Sequence, residues 1–173
     1  MRGERFHPFV AADYEAVLES LLELRGPGLR FLEWGSAIGV ITIMADLLGF
    51  EASGIELDAD LVATARDLAR KTDSGARFAV GSFIPSGYHW RPRHGDHRLG
   101  TIGHGASGYI HLGLPLDEFD VVFAYPWGGE EPMMLDLMSR YGRSDACLLL
   151  NSATDGITSY RGGRVVAGPL PRH

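Results

Sequence analysis

Phe31-Leu32-Glu33-Trp34-Gly35-Ser36-Ala37-Ile38-Gly39, continued by the apolar run from Val40 to Leu48, decides how this chain folds. Residues 29–34 are short, mostly apolar and opened by Gly26-Pro27-Gly28, whereas Val40, Ile41, Ile43, Met44, Leu47 and Leu48 recur at helical spacing. The spacing predicts a strand, a tight turn and a helix, with the period switching at the glycines. Gly35 permits a sharp turn without a side chain, and Gly39 lets the helix begin close to the strand. Backbone N–H groups at such a junction face a ligand at the strand's carboxyl end, and a nucleotide is the natural occupant. A dinucleotide fingerprint requires glycine two and five residues after Gly35, but Ala37 and Val40 stand there.

Bulk properties frame this corner. A chain of 173 residues is the size of one domain, and 45% hydrophobic with 22% charged residues is ordinary globular composition. The formal charge is −6 and Lys71 is the single lysine, which disfavours binding driven by phosphate contacts. No apolar run reaches the roughly 18 residues of a membrane span, and the amino terminus lacks a basic-then-apolar signal. A cytoplasmic protein with no membrane and no nucleic-acid partner is the expectation. The one cysteine, Cys147, lies in the apolar run 146–150 and reads as a buried small residue.

Outward from the turn, elements alternate. Residues 1–10 are expected as an irregular arm, and residues 11–24 as a helix whose apolar face is Tyr14, Val17, Leu18, Leu21 and Leu22. A second strand is expected over 51–56, a helix over 59–71 and a third strand over 77–80. Crossovers of this length imply a parallel sheet with right-handed connections. Glu56 ends the second strand about 20 positions beyond the glycine turn, where a carboxylate accepts hydrogen bonds from both hydroxyls of a ribose.

Residues 84–118 break the alternation with seven glycines and three prolines, and are expected as a Gly/His-rich loop. They hold His89, His94, His97, His104 and His111. His94 and His97 have a metal-ligand spacing, with Asp96 and Asp117 as oxygen donors. Without a helix or strand to fix them, the segment reads instead as a polar lid over a pocket, and no metal site is assigned. Regular structure resumes with a strand at 118–124, leading into Tyr125-Pro126-Trp127. A helix over 130–141, a strand over 145–151 and a hairpin around Gly162-Gly163 complete the chain.

Taken in order, Glu33-x-Gly35-x-Ala37-x-Gly39, the acid Glu56, Ser82 after the third strand and Tyr125-Pro126-Trp127 after the fourth resemble the motifs of class I S-adenosyl-L-methionine-dependent methyltransferases. Ala37 stands for the middle glycine of the first motif. Ala124 stands where amino-group methyltransferases carry Asn or Asp before their Pro-Pro-aromatic sequence, which counts against base or glutamine methylation. The resemblance spans about residues 29–151. It implies one α/β domain over residues 1–173, a three-layer Rossmann-like methyltransferase sandwich with a mostly parallel sheet, core order 3-2-1-4-5, and a short C-terminal edge hairpin.

It also implies S-adenosyl-L-methionine (SAM) as cofactor, held by Glu33, Gly35, Ser36, Ala37, Gly39, Glu56, Leu57, Gly81, Ser82 and Phe83. Ser82 takes the adenine-side position commonly filled by aspartate. Tyr125 and Trp127 are the candidate substrate contacts, and Tyr125 or a loop histidine such as His104 the candidate proton acceptor. The expected reaction is methyl transfer to a small molecule. A SAM-binding sensor or assembly partner without catalysis is the alternative, motivated by Ala37, Ser82, Ala124 and the short carboxyl end. A homodimer that completes the site is compatible with so short a chain.

Overall fold

The computed structural model describes residues 13–90, 105–127 and 129–167. Twelve elements follow in chain order: α1 (Tyr14–Leu24), β1 (Arg30–Trp34), α2 (Val40–Leu47), β2 (Glu51–Glu56), α3 (Ala59–Lys71), β3 (Arg77–Val80), α4 (Tyr109–Leu112), β4 (Val121–Ala124), α5 (Glu131–Tyr141), β5 (Cys147–Ser152), β6 (Gly156–Arg161) and β7 (Arg164–Ala167). The strands form one sheet of order β3-β2-β1-β4-β5-β6-β7. β1 to β5 are parallel, and β6 and β7 run antiparallel to their neighbours. The three-layer α/β sandwich, the core order 3-2-1-4-5 and the edge hairpin are therefore those expected from the sequence.

Alternation along the central strands explains the layers. Phe31, Val121, Phe123, Cys147 and Leu149 point to one face, where Val17 and Leu21 of α1 and Ile41 and Ala45 of α2 cover them. Leu32, Trp34, Val122, Leu148 and Leu150 point to the other, against Tyr109 and Leu112 of α4 and Met133, Met134 and Leu137 of α5. With both faces covered, the strands read as near-continuous apolar runs. A third cluster closes α3 onto the sheet through Val62, Ala65, Ala69 and Phe78. Full burial of a single leucine such as Leu21 contributes about 1.5–3 kcal/mol.

Local chemistry sets the helix boundaries. Asp13 starts α1 by accepting from Ala16 N, and Asp58 starts α3 by accepting from Asp60 N and Leu61 N. On α1 only Val17 and Leu21 are buried; Leu18 and Leu22, expected on the same face, are exposed, so the stripe meeting the sheet is narrower than the apolar pattern. Cys147 is free and buried, as expected of an apolar strand residue.

The described residues of the crossover from β3 to β4 are more ordered than its composition predicts. In its described part, Ser107 pairs as a parallel bridge with Ser82, through Ser82 N to Ala106 O at 2.9 Å and Gly108 N to Ser82 O at 2.8 Å. Residues 109–112 form α4 and Leu116–Glu118 a 3-10 turn. Tyr109, Leu112 and Leu116 are all buried, so residues 105–118 belong to the second helical layer instead of an open loop. The glycines and prolines mask this because three well-spaced apolar side chains suffice to anchor the segment. His94, His97, His104 and Asp96 lie outside the described residues. His89 and His111 are exposed.

Candidate functional site

β1 and β4 are adjacent in the sheet, with β2 and β3 on one side and β5 on the other, so chain order reverses between them. Ligands of open α/β sheets bind in the crevice above such a reversal. A cavity of about 80 Å³ lies there, lined by Tyr14, Glu33, Trp34, Gly35, Ser36, Ala37, Ile38, Val40, Ile41, Phe123 and Tyr125. Five of the residues singled out in the sequence, Glu33, Gly35, Ser36, Ala37 and Tyr125, thus meet around one space.

The floor of the site is a turn that holds itself. Gly35 N and Ser36 N both donate to Ile55 O, at 2.9 and 3.0 Å, and Gly39 N donates to Ser36 O at 2.7 Å. Ala37 N donates to Glu56 Oε2 at 2.9 Å. The N–H groups of residues 35–37 are therefore taken by the end of β2, which differs from the expectation that they face a ligand. β2 supplies acceptors at that level, and an unpaired buried N–H would be costly. Gly35 and Gly39 have φ of 69° and 79°, and Ala37 has φ of 45°. The middle position of the turn thus requires a left-handed backbone, and an alanine adopts it at a cost of about 1–2 kcal/mol.

The glycines serve different ends. A Cβ on Gly35 would meet nothing within 4 Å, so that side of the turn is open. A Cβ on Gly39 would fall 2.5 Å from the Phe78 ring and 2.9 Å from Ala65 Cβ, so close approach of α2 to α3 and β3 demands glycine there. Gly54 in β2 is required in the same way, because a Cβ would lie 2.6 Å from Ser36 Cβ. Reading the sequence missed Gly54, which carries no motif and is explained only by what crosses over it.

Glu33 is buried, and its Oε2 accepts from Thr42 N at 3.0 Å and Thr42 Oγ1 at 2.5 Å. Burial pushes its carboxyl up to about 8, against the opposing pull of the two Thr42 donors. Below that pH the group is a neutral acid on the wall of the pocket. Glu56, half-buried at the end of β2, also accepts from Asp58 N through Oε1 at 3.1 Å. Its carboxylate stands at the rim of the turn instead of pointing into solvent.

Leu57, exposed, follows Glu56. Gly81 N donates to Glu56 O at 2.9 Å, and a Cβ on Gly81 would lie 2.7 Å from the backbone of Ala106 and Gly108. The buried Ser82 hydroxyl accepts from Ile84 N at 3.1 Å. Phe83 stacks on Trp34 with ring centroids 5.2 Å apart. These residues, with Gly39, lie along the carboxyl ends of β2 and β3 but do not line the cavity beside β1. On the other side, Tyr125 lines it and its Oη is buried without a partner. Trp127 is 45% exposed, outside the lining, and its N–H donates to Glu130 Oε2 at 3.0 Å. Burial raises the Glu130 carboxyl above its ordinary range. Tyr14 of α1 reaches the pocket as well, although helical spacing marked it only as a packing residue.

Sheet order, the reversal between β1 and β4, and the glycine turn facing an acid at the end of β2 together define the fold of class I SAM-dependent methyltransferases. No family model matches the chain, and no curated protein matches it in sequence. Solved structures match it in fold. An RNA methyltransferase from Salinibacter ruber, in complex with S-adenosyl-L-homocysteine, superposes with a TM-score of 0.57 at 17% identity, over 91% of this chain and 94% of that one. Precorrin-6y C5,15-methyltransferase from Geobacter metallireducens gives 0.53 at 22% identity, over 80% and 60%. The PH0226 protein from Pyrococcus horikoshii gives 0.55 at 15% identity, over 80% of this chain and 55% of that one, so the chain spans about half its length. Among the described residues no helix is long and apolar enough to cross a membrane.

Proposed function

We propose that the protein binds SAM in the crevice above β1 and β4 and transfers its methyl group to a small molecule. One observation carries the reading: Ser36, 2% exposed, presents a buried hydroxyl without a hydrogen-bond partner to the same cavity onto which Gly35 opens. Native proteins seldom leave such an atom unpaired unless a ligand or water takes it. The residues present fit the cofactor. Glu33, Gly35, Ser36, Ala37 and Gly39 would hold its amino-acid end; Glu56, with acceptor capacity left on both oxygens, its ribose; Leu57, Gly81, Ser82 and Phe83 its adenine side. When bound, the cofactor supplies an electrophilic methyl carbon whose bond to sulfur breaks, with the electron pair going to sulfur, as an acceptor lone pair forms the new bond.

The protein's own part is position and exclusion of water. Tyr14 and Tyr125 wall the cavity. Tyr125 Oη, buried and unpartnered, is the described group placed to accept a hydrogen bond from an acceptor's O–H or N–H, and only as a phenolate would it take the proton released on transfer. His104 is the other candidate and lies outside the described residues. Net charge −6 and a single lysine favour a small acceptor over nucleic acid, whose binding draws on clustered cations. A second reading, SAM binding without turnover, is favoured by Ala124, which ends β4 with no polar group where an amide or carboxylate would orient an amino acceptor.

Calorimetric titration with SAM and S-adenosyl-L-homocysteine tests the reading, followed by a screen of small phenols, amines and thiols for methyl transfer from SAM. Micromolar binding with turnover is expected. Binding without turnover selects the second reading, and no binding of either nucleoside removes both.

A further inference from the structure

Among the described residues Glu33 is the one carboxyl on the cavity wall, and alternation along β1 sets it with Phe31 on the face covered by α1 and α2. It is 6% exposed. Its two oxygens are used unequally. Oε2 accepts from both Thr42 N and Thr42 Oγ1, whereas Oε1 has no partner among the described residues. The unpaired side-chain atoms sealed from solvent are Ser36 Oγ, Trp90 Nε1, Tyr125 Oη and Asn151 Nδ2. Glu33 Oε1 is not one of them, so it keeps open surface on the cavity that Glu33 lines.

No positive charge meets this carboxyl among the described residues. In the sheet it is in register with Gly54 of β2 and Phe123 of β4, neither of which titrates. From α2 it meets the Thr42 hydroxyl; Asp46, the acid of that helix, is spent on Ser74 Oγ and Gly75 N. α1 and the β4 exit contribute the phenols Tyr14 and Tyr125, and the described wall has no His, Lys or Arg. A carboxyl so placed stays neutral, because ionising it would leave a charge with neither water nor counter-charge. Burial is the main cause that lifts its pKa to about 8, with the Thr42 bonds opposing and the Glu56 carboxylate adding a smaller push.

A neutral acid pairs poorly with an ammonium ion, and a carboxylate pairs well. The amino-acid end of the proposed cofactor carries such an ammonium, its α-amino group being protonated below about pH 7.5. Its carboxylate, which Glu33 repels, is left to the side of the turn that Gly35 keeps open.

We infer that Glu33 makes cofactor binding release a proton: as the ammonium reaches Oε1, the Glu33 O–H bond breaks, the proton passes to solvent and the carboxylate stays paired with the ammonium. Affinity therefore falls with acid, although the ligand's own charge is unchanged between about pH 5.5 and 7. The site loads its cofactor near neutrality and sheds it on mild acidification. The inference rests on the SAM-binding reading above and deepens it by naming the regulation of that site.

Calorimetry on the full chain with S-adenosyl-L-homocysteine at pH 6.5, in buffers of different ionisation enthalpy, counts the protons released. More than half a proton per ligand is expected, and affinity should rise about threefold or more per pH unit from 5.5 to 7. 5′-Methylthioadenosine, which keeps the nucleoside but lacks the amino-acid end, should bind without release. Glu33→Gln keeps an acceptor for Thr42 and does not titrate; it should bind S-adenosyl-L-homocysteine without release, while Glu56→Gln should still release. With glutamate side chains labelled with carbon-13, one wild-type carboxyl resonance should move to the ionised position on saturation at pH 6.5. Should Glu33→Gln fail to fold, the contrast between the two ligands on wild type decides. A wild-type enthalpy independent of buffer, equal release with 5′-methylthioadenosine, undiminished release by Glu33→Gln or no carboxyl ionising on saturation would each overturn the inference. Failure of the wild type to bind S-adenosyl-L-homocysteine even at pH 7.5 would instead overturn the SAM reading on which it stands.

Discussion

Glu33 of β1 and Thr42 of α2 are joined by two hydrogen bonds on one oxygen: Oε2 accepts from Thr42 N at 3.0 Å and from Thr42 Oγ1 at 2.5 Å. Gly39, at the amino end of α2, has no side chain to cap the helix. A strand carboxyl therefore does the capping from across the turn, binding one of the orphan N–H groups of the first helical turn. This bond ties the start of α2 to β1 beside the pocket.

Burial of the same carboxyl makes stability depend on pH. A carboxyl raised to about 8 in the folded chain, above its ordinary 4.5, favours folding in its protonated form. Its contribution is complete below about pH 4.5 and is lost as pH rises through 8, at up to about 1.4 kcal/mol per pH unit. Urea denaturation at pH 5, 6.5 and 8 should show wild type losing stability across this window while Glu33→Gln, which does not titrate, declines less. Parallel profiles for the two proteins would rule out Glu33 as the titrating group.

Substitutions in the turn should rank by cause. Ala37→Gly removes the left-handed strain at φ 45° and is expected to stabilise the chain by about 0.5–1 kcal/mol. Gly35→Ala adds comparable strain without a clash and should cost about 1 kcal/mol. Gly39→Ala adds a clash with Phe78 and Ala65 and should cost about 2–3 kcal/mol or prevent folding. Thermal melts of the three variants read the order directly, and a destabilised Ala37→Gly would contradict it.

Glu56 links the turn to the proposed ribose site. Glu56→Ala removes the acceptor for both Ala37 N and Asp58 N as well as the ribose contact, and should weaken S-adenosyl-L-homocysteine binding by about 1.5–3 kcal/mol. Glu56→Gln keeps one acceptor oxygen and should lose less. Calorimetry showing unchanged affinity in both would dissociate Glu56 from the cofactor.

Tyr109 anchors the crossover. Trp34 Nε1 donates to its hydroxyl at 2.9 Å in a buried position, where desolvation also holds the phenol above its ordinary pKa. Tyr109→Phe leaves the indole N–H unpaired and is expected to cost about 1–3 kcal/mol. Hydrogen exchange should speed up first in residues 105–118, and protection unchanged there would mean the segment is held by burial alone.

The order of the sheet was implied by the family resemblance of the motifs, whereas the residue pattern along the chain specifies the alternation of strands and helices, the parallel pairing, the edge hairpin at Gly162-Gly163 and the spacing from the glycine turn to Glu56. Each is a local or periodic property: a change of hydrophobic period, a turn residue, a fixed number of positions. Only the tertiary structure decided that Glu33 caps α2, that the turn's N–H groups are spent on Ile55 and Glu56, that Gly54 is required beneath Ser36, that residues 105–118 fold back through Tyr109 and Leu112, and that Asn151 is left without an acceptor. These depend on which side chains face one another across strands far apart in the chain, and no pattern along the chain encodes such a pairing.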